Sequence, residues 1–466
     1  MFNNKLVHGD AYGPASPPFA FTRGARCRQR LTALRWSTRL LGAALLVAGL
    51  QASAVHGAPV ANERPVFLGQ HMLYTRSFAN LQDKQFDGLR IWGAEGTMWH
   101  QIEQQKGVFD FSQFDEQVAG ATTRRMELMY TFGQTPRWAS ARPDEKGNTG
   151  LGAAAEPVDM ANWASYVRTV ASRYKGRISA YEVMNEPRVP EAVKLWSPGF
   201  FSGSVSKLAE MTSIVAEEVR KVDPAAKIVC PSFDGFDGLK RLDTFLATGA
   251  GKQCDVIGFH YYLPHFTIKE LRSMVLETRR ITTRHGLGHL PLWDTETGVI
   301  IAEAGFNLKP KERTGALSKS FDSAEAARLA AKMLVVSHTL GVERTYWFAH
   351  DTSWMGSTVA DKRRNQLNPF GLSLAVLKNW LSGRYLRNCT GNDDSMLCEV
   401  HERTGKVGSV YWGEGKTPGE WVRLGYRSAE YLNGETIALG RLDAMVVPRV
   451  AEGVVYLAIK PLRKVP

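Results

Sequence analysis

Short apolar runs recur along most of the chain, and longer amphipathic stretches separate them. An apolar run of about four to eight residues is typical of a buried strand, and apolar residues at three-to-four spacing are typical of a helix that covers a sheet. Strands that alternate with such helices form parallel βα units, and eight units can close into a (β/α)8 barrel, the TIM barrel. We therefore predict an α/β fold with this barrel over residues 60–380. The predicted strands are Val66–Gln70, Gly88–Trp92, Glu127–Phe132, Ala180–Met184, Lys227–Pro231, Val256–Tyr261, Pro291–Thr295 and Arg344–Phe348.

Helical spacing is clearest in four of the stretches between these runs. Each has apolar residues on one face and polar residues on the other, as expected of helices that pack on a barrel. The four predicted helices are Met160–Tyr174, Ser204–Lys221, Ile268–His285 and Ser323–Gly341.

After residue 380 the pattern changes to shorter alternating runs with many glycines, which is typical of antiparallel strands. We predict a small all-β domain, β-sandwich-like in form, over residues 381–466. It could pack against the barrel for stability or bind glycan by itself, and we favour packing. Its predicted strands are Val407–Trp412, Trp421–Leu424, Ala444–Pro448 and Val454–Ile459.

The first 54 residues have the features of an export signal. They hold seven basic residues and one acid, and so contribute half of the formal net charge of +12. An apolar run over residues 40–50 is short for a bilayer span, and Ala52-Ser53-Ala54 fits a cleavage site. We predict a signal peptide with a long basic region over residues 1–54, with an uncleaved membrane anchor as the alternative. The mature protein is then expected to be secreted or periplasmic, without stable membrane insertion and without a nucleic-acid partner.

Four cysteines follow the predicted signal, and an oxidising compartment would allow them to form disulfides. They are Cys230, Cys254, Cys389 and Cys398. Four cysteines allow three pairings, and we favour the two local ones, Cys230 with Cys254 and Cys389 with Cys398. No Cys-x-x-Cys spacing occurs, and we predict no metal site.

Two glutamates stand at the ends of predicted strands, where barrel enzymes assemble their active sites. Asn185 and Glu186 end the fourth strand, and Glu296 ends the seventh. Strands four and seven face each other across an eight-stranded barrel, so the two carboxyls can converge on one sugar. Glycoside cleavage needs one carboxyl that is protonated, to assist the leaving oxygen, and one that is ionised, to attack the anomeric carbon. The pattern predicts a glycosidase with Glu186 as acid/base and Glu296 as nucleophile.

With these residues at these positions, the sequence resembles the clan A glycoside hydrolases over residues 65–380. Within the clan it looks most similar to family 39 and to related bacterial exopolysaccharide hydrolases, through residues 130–140 after the third strand and Trp99-His100-Gln101-Ile102-Glu103 upstream. The resemblance implies retaining hydrolysis of a polysaccharide or oligosaccharide, with a bacterial exopolysaccharide as one candidate. It implies no cofactor.

The same resemblance implies roles for residues around the two glutamates. Arg90 and Tyr262 would form hydrogen bonds to the nucleophile, and Asn185 would contact the sugar 2-hydroxyl. Trp347 would form the floor under the reacting sugar. Further residues expected to line the sugar site are His260, Trp138, Trp92 and His71.

Two alternatives share this pattern. A glycan-binding or matrix protein could keep the barrel without activity, although a binder has no use for a nucleophile. A transglycosylase would carry every residue named and differ in whether sugar or water intercepts the intermediate. The sequence does not specify the sugar, its linkage, endo or exo action, or the oligomeric state.

Overall fold

The computed structural model describes residues 63–81, 85–192, 199–302, 319–352, 360–361, 366–413, 418–439 and 453–459. Eight parallel strands form its centre, and each begins and ends within two residues of a predicted run. They are β1 (Leu68–His71), β2 (Gly88–Ile91), β3 (Glu127–Thr131), β4 (Ala180–Glu182), β5 (Lys227–Val229), β6 (Ile257–His260), β7 (Leu292–Thr297) and β8 (Val342–Trp347).

The strands form a closed ring. They are hydrogen-bonded in the order β5-β4-β3-β2-β1-β8-β7-β6, and a parallel bridge between Val229 and Val256 joins the two ends. The two-residue strand Phe233–Asp234 continues from the end of β5 and also pairs with β6. This ring confirms the predicted (β/α)8 barrel. It places the carboxyl ends of β4 and β7 on the same face.

Helices follow the strands and cover the outside of the barrel, and most begin with a side-chain cap. Asp159 accepts from the backbone N–H of Ala161, and Thr267 with Glu270 forms a capping box. The four predicted helices are confirmed within two residues at each end. The barrel helices are α1 (Trp99–Ile102), α2 (Ser112–Thr123), α3 (Met160–Arg173), α4 (Val205–Val222), α5 (Gly235–Ala247), α6 (Ile268–Arg284), α7 (Ser323–Thr339) and α8 (Pro369–Leu381).

An antiparallel sheet follows α8, which confirms the predicted all-β segment. Its six strands lie in the order β9-β10-β11-β14-β12-β13. They are β9 (Tyr385–Gly391), β10 (Met396–Glu402), β11 (Gly405–Trp412), β12 (Ser428–Tyr431), β13 (Thr436–Ala438) and β14 (Val455–Ala458).

One predicted strand of this segment is wrong. Trp421–Leu424 was expected to be extended, but residues Pro418–Arg423 form the short helix α9. Proline at the first helical position favours this start, and a run of four residues is too short to distinguish strand from helix by periodicity. The predicted strand Ala444–Pro448 lies outside the described residues.

The sheet packs against the barrel helices. In α8, the indole N–H of Trp380 donates to Glu430 at 2.7 Å, and its ring stacks on Tyr456 at 5.8 Å. Arg272 of α6 pairs with Asp393 at 2.8 Å. These contacts support the packing interpretation, whereas the domain boundary at 380/381 and a sandwich-like form stay predictions. The predicted signal peptide lies outside the described residues.

Both local disulfides are formed. Cys230 and Cys254 connect the end of β5 to the approach of β6, and Cys389 and Cys398 join the neighbouring strands β9 and β10. Among the described residues, no helix has both the length and the apolar composition that a membrane span requires.

Candidate active site

Glu186 and Glu296 meet at the carboxyl end of the barrel. Glu186 lies in the loop after β4, and Glu296 is the penultimate residue of β7. One carboxyl oxygen of Glu186 lies within 4.8 Å of one of Glu296. Their side chains are 13% and 9% exposed. The two carboxyls are therefore close enough to act on the same bond.

The backbone of Glu186 has an unusual conformation, with φ at 40°. This left-handed region is costly for a residue with a side chain, and such residues occur where the surroundings hold them, often in active sites. Here the N–H of Glu186 donates to the carbonyl of Ser232 at 2.8 Å. Asn185 and Ser232 also form a parallel bridge. The loop after β4 is thus hydrogen-bonded to the segment after β5, through Ser232.

Arg90 of β2 connects the site across the barrel interior. Its Nη1 donates to Glu296 at 2.7 Å, and its Nη2 donates to Asn185 Oδ1 at 2.7 Å. The Nε and Nη2 groups also bind Glu182 of β4, with 2.9 Å from Nε to Oε2. Arg90 and Glu182 are fully buried. One guanidinium therefore fixes Glu296, Asn185 and Glu182.

The last residue of β6 and a residue just after that strand contact the two glutamates. The hydroxyl of Tyr262 donates to Glu296 Oε1 at 3.0 Å. His260 Nδ1 lies 2.9 Å from Glu186 Oε1 and can donate to it when Glu186 is ionised. The two oxygens of Glu296 thus accept hydrogen bonds from Tyr262 and Arg90. Glu186 is contacted by the imidazole of His260.

The surroundings give the two glutamates different proton affinities. Burial, and then the negative charge of Asp234, raises the pKa of Glu186 to about 8. Burial also raises the pKa of Glu296, but the neighbouring His260, the positive charge of Arg90 and the hydrogen bond from Tyr262 oppose that rise. Glu186 therefore carries a proton at neutral pH, as a general acid must.

Arg90 and Glu182 are held in their charged forms. Burial alone would lower the pKa of Arg90, but the charges of Glu182 and Glu296 outweigh it and raise the pKa. Burial would likewise raise the pKa of Glu182, but the charge of Arg90 outweighs it. The pair is therefore an ionised cation and anion inside the barrel.

The predicted aromatic residues occupy two different environments. Trp347, at the end of β8, is 2% exposed, packs on Phe370 and pairs in register with Thr297, the neighbour of Glu296. Trp138 is half-buried and lines an open cleft of about 760 Å³ with His100, Gln101 and Arg137. Trp347 thus pairs with the neighbour of Glu296, whereas Trp138 lies in the long segment after β3.

The other predicted residues are close to the same centre. His71, at the end of β1, lies 3.1 Å from the carbonyl of Thr295 and 3.4 Å from Arg90. Trp92 follows β2 and packs edge-on against Phe200 at 5.6 Å. His71 thus belongs to the buried network around Arg90, and Trp92 lies just after β2 against Phe200.

One atom each from Glu186, His260 and Glu296 lies close enough together to hold a cation. However, Glu296 accepts from Arg90 and Tyr262, and His260 is bonded to Glu186. A metal ion would have to displace these bonds. The arrangement fits proton transfer and nucleophilic attack better than metal binding.

Sequence reasoning missed three residues that support the site. Glu182 is a charged residue within an apolar strand, which is a detectable signal because a buried charge requires a partner. Asp234 and Arg241 show no comparable pattern. Their importance depends on a contact between α5 and the two-residue strand Phe233–Asp234 that follows β5.

Comparison with known proteins gives similarity to glycoside hydrolases. The family model of glycosyl hydrolase family 10 matches residues 68–236, from β1 into α5. In this part the chain is similar to the clan A glycoside hydrolases. Among curated proteins, endo-1,4-beta-xylanase C of Phanerodontia chrysosporium is 28% identical over 213 residues, which are 44% of this chain and 49% of that protein. The chain thus spans about half the length of that relative.

Solved structures share the clan A fold over a larger part of the chain. A family 39 glycoside hydrolase from Bacteroides cellulosilyticus has a TM-score of 0.61 at 14% identity and covers 86% of this chain and 82% of its own. A family 39 enzyme from Xanthomonas axonopodis pv. citri has a TM-score of 0.52 at 15% identity, with 79% and 78% covered. A monomeric β-xylosidase from Caulobacter crescentus has a TM-score of 0.51 at 14% identity, with 77% and 76% covered. At these identities the likeness is one of fold.

Proposed function

We propose that this chain is a retaining glycoside hydrolase that cleaves a polysaccharide or oligosaccharide by double displacement. The observation that carries the proposal is the separation of the two catalytic carboxyls, with oxygens within 4.8 Å. Retaining enzymes hold these groups about 5 Å apart, whereas inverting enzymes need about 6.5–9.5 Å to admit a water molecule between sugar and base. The short separation supports direct attack by Glu296.

In the first step, Glu186 gives its proton to the leaving oxygen while the Glu296 carboxylate attacks the anomeric carbon. The glycosidic C–O bond breaks and a glycosyl ester of Glu296 forms. Esterification removes the negative charge of Glu296, which lowers the proton affinity of Glu186. Glu186 then acts as a base, takes a proton from water, and the hydroxide displaces Glu296 with net retention.

The neighbouring residues support these two steps in distinct ways. Arg90 and Tyr262 orient the Glu296 carboxylate by binding one oxygen each. Because Asn185 Oδ1 accepts from Arg90, its amide NH2 points elsewhere and is left to donate to the sugar 2-hydroxyl, a bond that strengthens in the transition state. His260 holds the carboxyl of Glu186, and Trp347 would lie under the reacting sugar.

The substrate we propose is a β-linked polysaccharide, and the similarity to a xylanase and a β-xylosidase makes xylan the first to test. A bacterial exopolysaccharide is the second candidate. The cleft beside Trp138 offers an aromatic ring and two amides, Gln101 and Gln104, to sugars beyond the cleaved bond. The two disulfides support export to a secreted or periplasmic location.

The test is a digestion panel that includes xylan, xylo-oligosaccharides and bacterial exopolysaccharides. New reducing ends are measured, and NMR follows the anomeric configuration of the first product. The expected result is cleavage of at least one glycan with retained configuration, and loss of cleavage with Glu296→Gln. Inverted configuration, or equal activity of the variant, would exclude the proposed mechanism. Products longer than the substrate would assign transglycosylation instead.

A further inference from the structure

A buried arginine holds the loop that carries Glu186. Arg241 lies on α5, and its side chain is 0% exposed. Its Nη1 donates to the carbonyl of Pro187, the residue after Glu186, at 2.9 Å. Its Nη2 donates to Asp234, at 2.6 Å to Oδ1 and 3.1 Å to the backbone carbonyl. The same guanidinium therefore fixes the position of the Glu186 loop and of Asp234.

Asp234 is placed beside the acid/base. It is the second residue of the strand Phe233–Asp234 and pairs in register with His260, whose Nδ1 binds Glu186. Arg188 lies 3.8 Å from its carboxylate. The charges of Arg241 and Arg188 outweigh burial and lower the pKa of Asp234, so it carries a negative charge at neutral pH.

We propose that Asp234 and Arg241 are positioning residues for Glu186, and that the fixed negative charge of Asp234 keeps Glu186 protonated until the glycosidic bond breaks. The inference deepens the proposed function and rests on it. Arg241 supplies the geometry, because it holds Pro187 and Asp234 together. Asp234 supplies the charge, because an adjacent anion disfavours ionisation of a carboxyl.

Other charged groups also face Glu186, and they act in both directions. The groups are Glu296 of β7, Arg90 of β2, Arg188 of its own loop, Arg241 of α5, His260 at the end of β6 and Tyr262 after it. The three arginines favour the ionised form of Glu186, whereas Glu296 and Asp234 favour the protonated form. Asp234 has the largest effect of these charges on the pKa of Glu186. Removal of Asp234 should therefore shift the balance toward ionisation.

The test is the pH dependence of kcat/KM for Asp234→Asn on an unactivated glycan. The alkaline limb should move to lower pH by about one unit, so that activity near pH 8 falls about 5-fold while activity near pH 6 changes little. An activated aryl glycoside, which needs no protonation to leave, should lose little in its glycosylation step at either pH. Asp393→Asn is the matched control. Asp393 lies between β9 and β10, far along the chain from the site, is similarly exposed and also pairs with an arginine. Its pH profile should equal that of the unmodified protein.

Arg241→Lys tests the positioning role separately. It should lower kcat on the unactivated glycan with little change in KM, and azide should accelerate its turnover of the activated glycoside by bypassing the base step. A merely structural lesion would not respond to azide.

A titration of Glu186 by carboxyl ¹³C NMR, with the signal assigned through Glu186→Gln, gives a readout that needs no activity. The expected result is a lower midpoint in Asp234→Asn. An unmoved midpoint, or an unmoved alkaline limb in a folded variant, would overturn the inference. Absence of cleavage by the unmodified protein would instead overturn the proposed function, and the titration would still decide the role of Asp234.

Discussion

Arg90 donates one hydrogen bond to Glu296 while Nε and Nη2 of the same guanidinium hold Glu182. The three residues come from β2, β7 and β4, so a single cation joins strands on opposite sides of the barrel. Glu296, the proposed nucleophile, is therefore held by an arginine that is itself held by a second buried carboxylate, Glu182. This relation makes stability and activity depend on the same ion pair.

Arg90→Lys should lower both the stability and the activity of the protein. A lysine ammonium cannot reproduce the planar fork that reaches Glu182 and Glu296 together, and a buried carboxylate would be left without its partner. The free energy of unfolding should fall by about 3–5 kcal/mol, and kcat/KM by about 100-fold or more. Denaturant unfolding and steady-state kinetics measure the two losses. The exposed pair Arg137 and Asp144 provides the control, since Arg137→Lys should leave stability within about 0.5 kcal/mol.

The two catalytic glutamates should respond differently to amide substitution. Glu296→Gln removes the nucleophile and should abolish turnover of every substrate. Glu186→Gln should lower activity on the natural glycan by about 10² to 10⁴, yet still allow an activated aryl glycoside to form the covalent intermediate. Mass spectrometry should detect that intermediate, and azide should release it as a product of retained configuration. An inverted azide product from Glu186→Gln would mean that the two roles are reversed.

The ionisation of Glu186 should also appear in the stability of the protein. Its pKa is raised to about 8 by burial and the charge of Asp234, compared with about 4.3 in an unfolded chain. Between these values the folded state holds a proton that the unfolded state has lost, so stability falls as pH rises. Glu186→Gln cannot ionise, and its Tm relative to the unmodified protein should therefore increase from about pH 5 to about pH 8. Thermal unfolding over this range measures the effect, and a constant difference would contradict it.

Loss of the Cys389–Cys398 bridge should destabilise the C-terminal sheet. The bridge closes a short loop between β9 and β10, and removal should cost about 2–4 kcal/mol. Because both residues lie outside the barrel, hydrogen exchange should increase in β9 and β10 before it increases in β4 or β7. The Cys389→Ser, Cys398→Ser double variant should therefore retain kcat at moderate temperature. Equal exchange throughout the chain would show that barrel and sheet unfold as one unit.

Trp138→Ala should separate long from short substrates. Trp138 lines an open cleft, where its ring could stack on a sugar of a long substrate. The KM for a long glycan should rise about 2- to 10-fold, as expected for loss of about 0.5–1.5 kcal/mol, while an aryl monoglycoside is unaffected. Val158→Ala, at an exposed position on the same long loop, is the control. Equal KM values for the long glycan in the two variants would remove Trp138 from the substrate site.

The barrel and the convergence of Glu186 and Glu296 could be predicted from the sequence because both depend on local patterns. Each strand is an apolar run, and the rule that active sites form at the carboxyl ends of barrel strands places Glu186 and Glu296 on one face. The local disulfides could be predicted for a similar reason, since neighbouring cysteines are brought together by adjacent strands. The strand predicted at Trp421–Leu424 is wrong because four residues carry too little periodicity to exclude a helix.

The contacts that tune the site were decided by the tertiary structure alone. Arg90 reaches Glu182 and Glu296 at sequence separations of 92 and 206 residues, and Arg241 reaches Pro187 across 54. The hydropathy pattern of the sequence does not indicate contacts between residues so far apart in the chain. They depend on which strands become neighbours when the barrel closes and on how each guanidinium is oriented inside it. The sequence alone thus determined which carboxyls could act, whereas the folded chain decided their proton affinities, because burial and fixed nearby charges exist only once the barrel has closed.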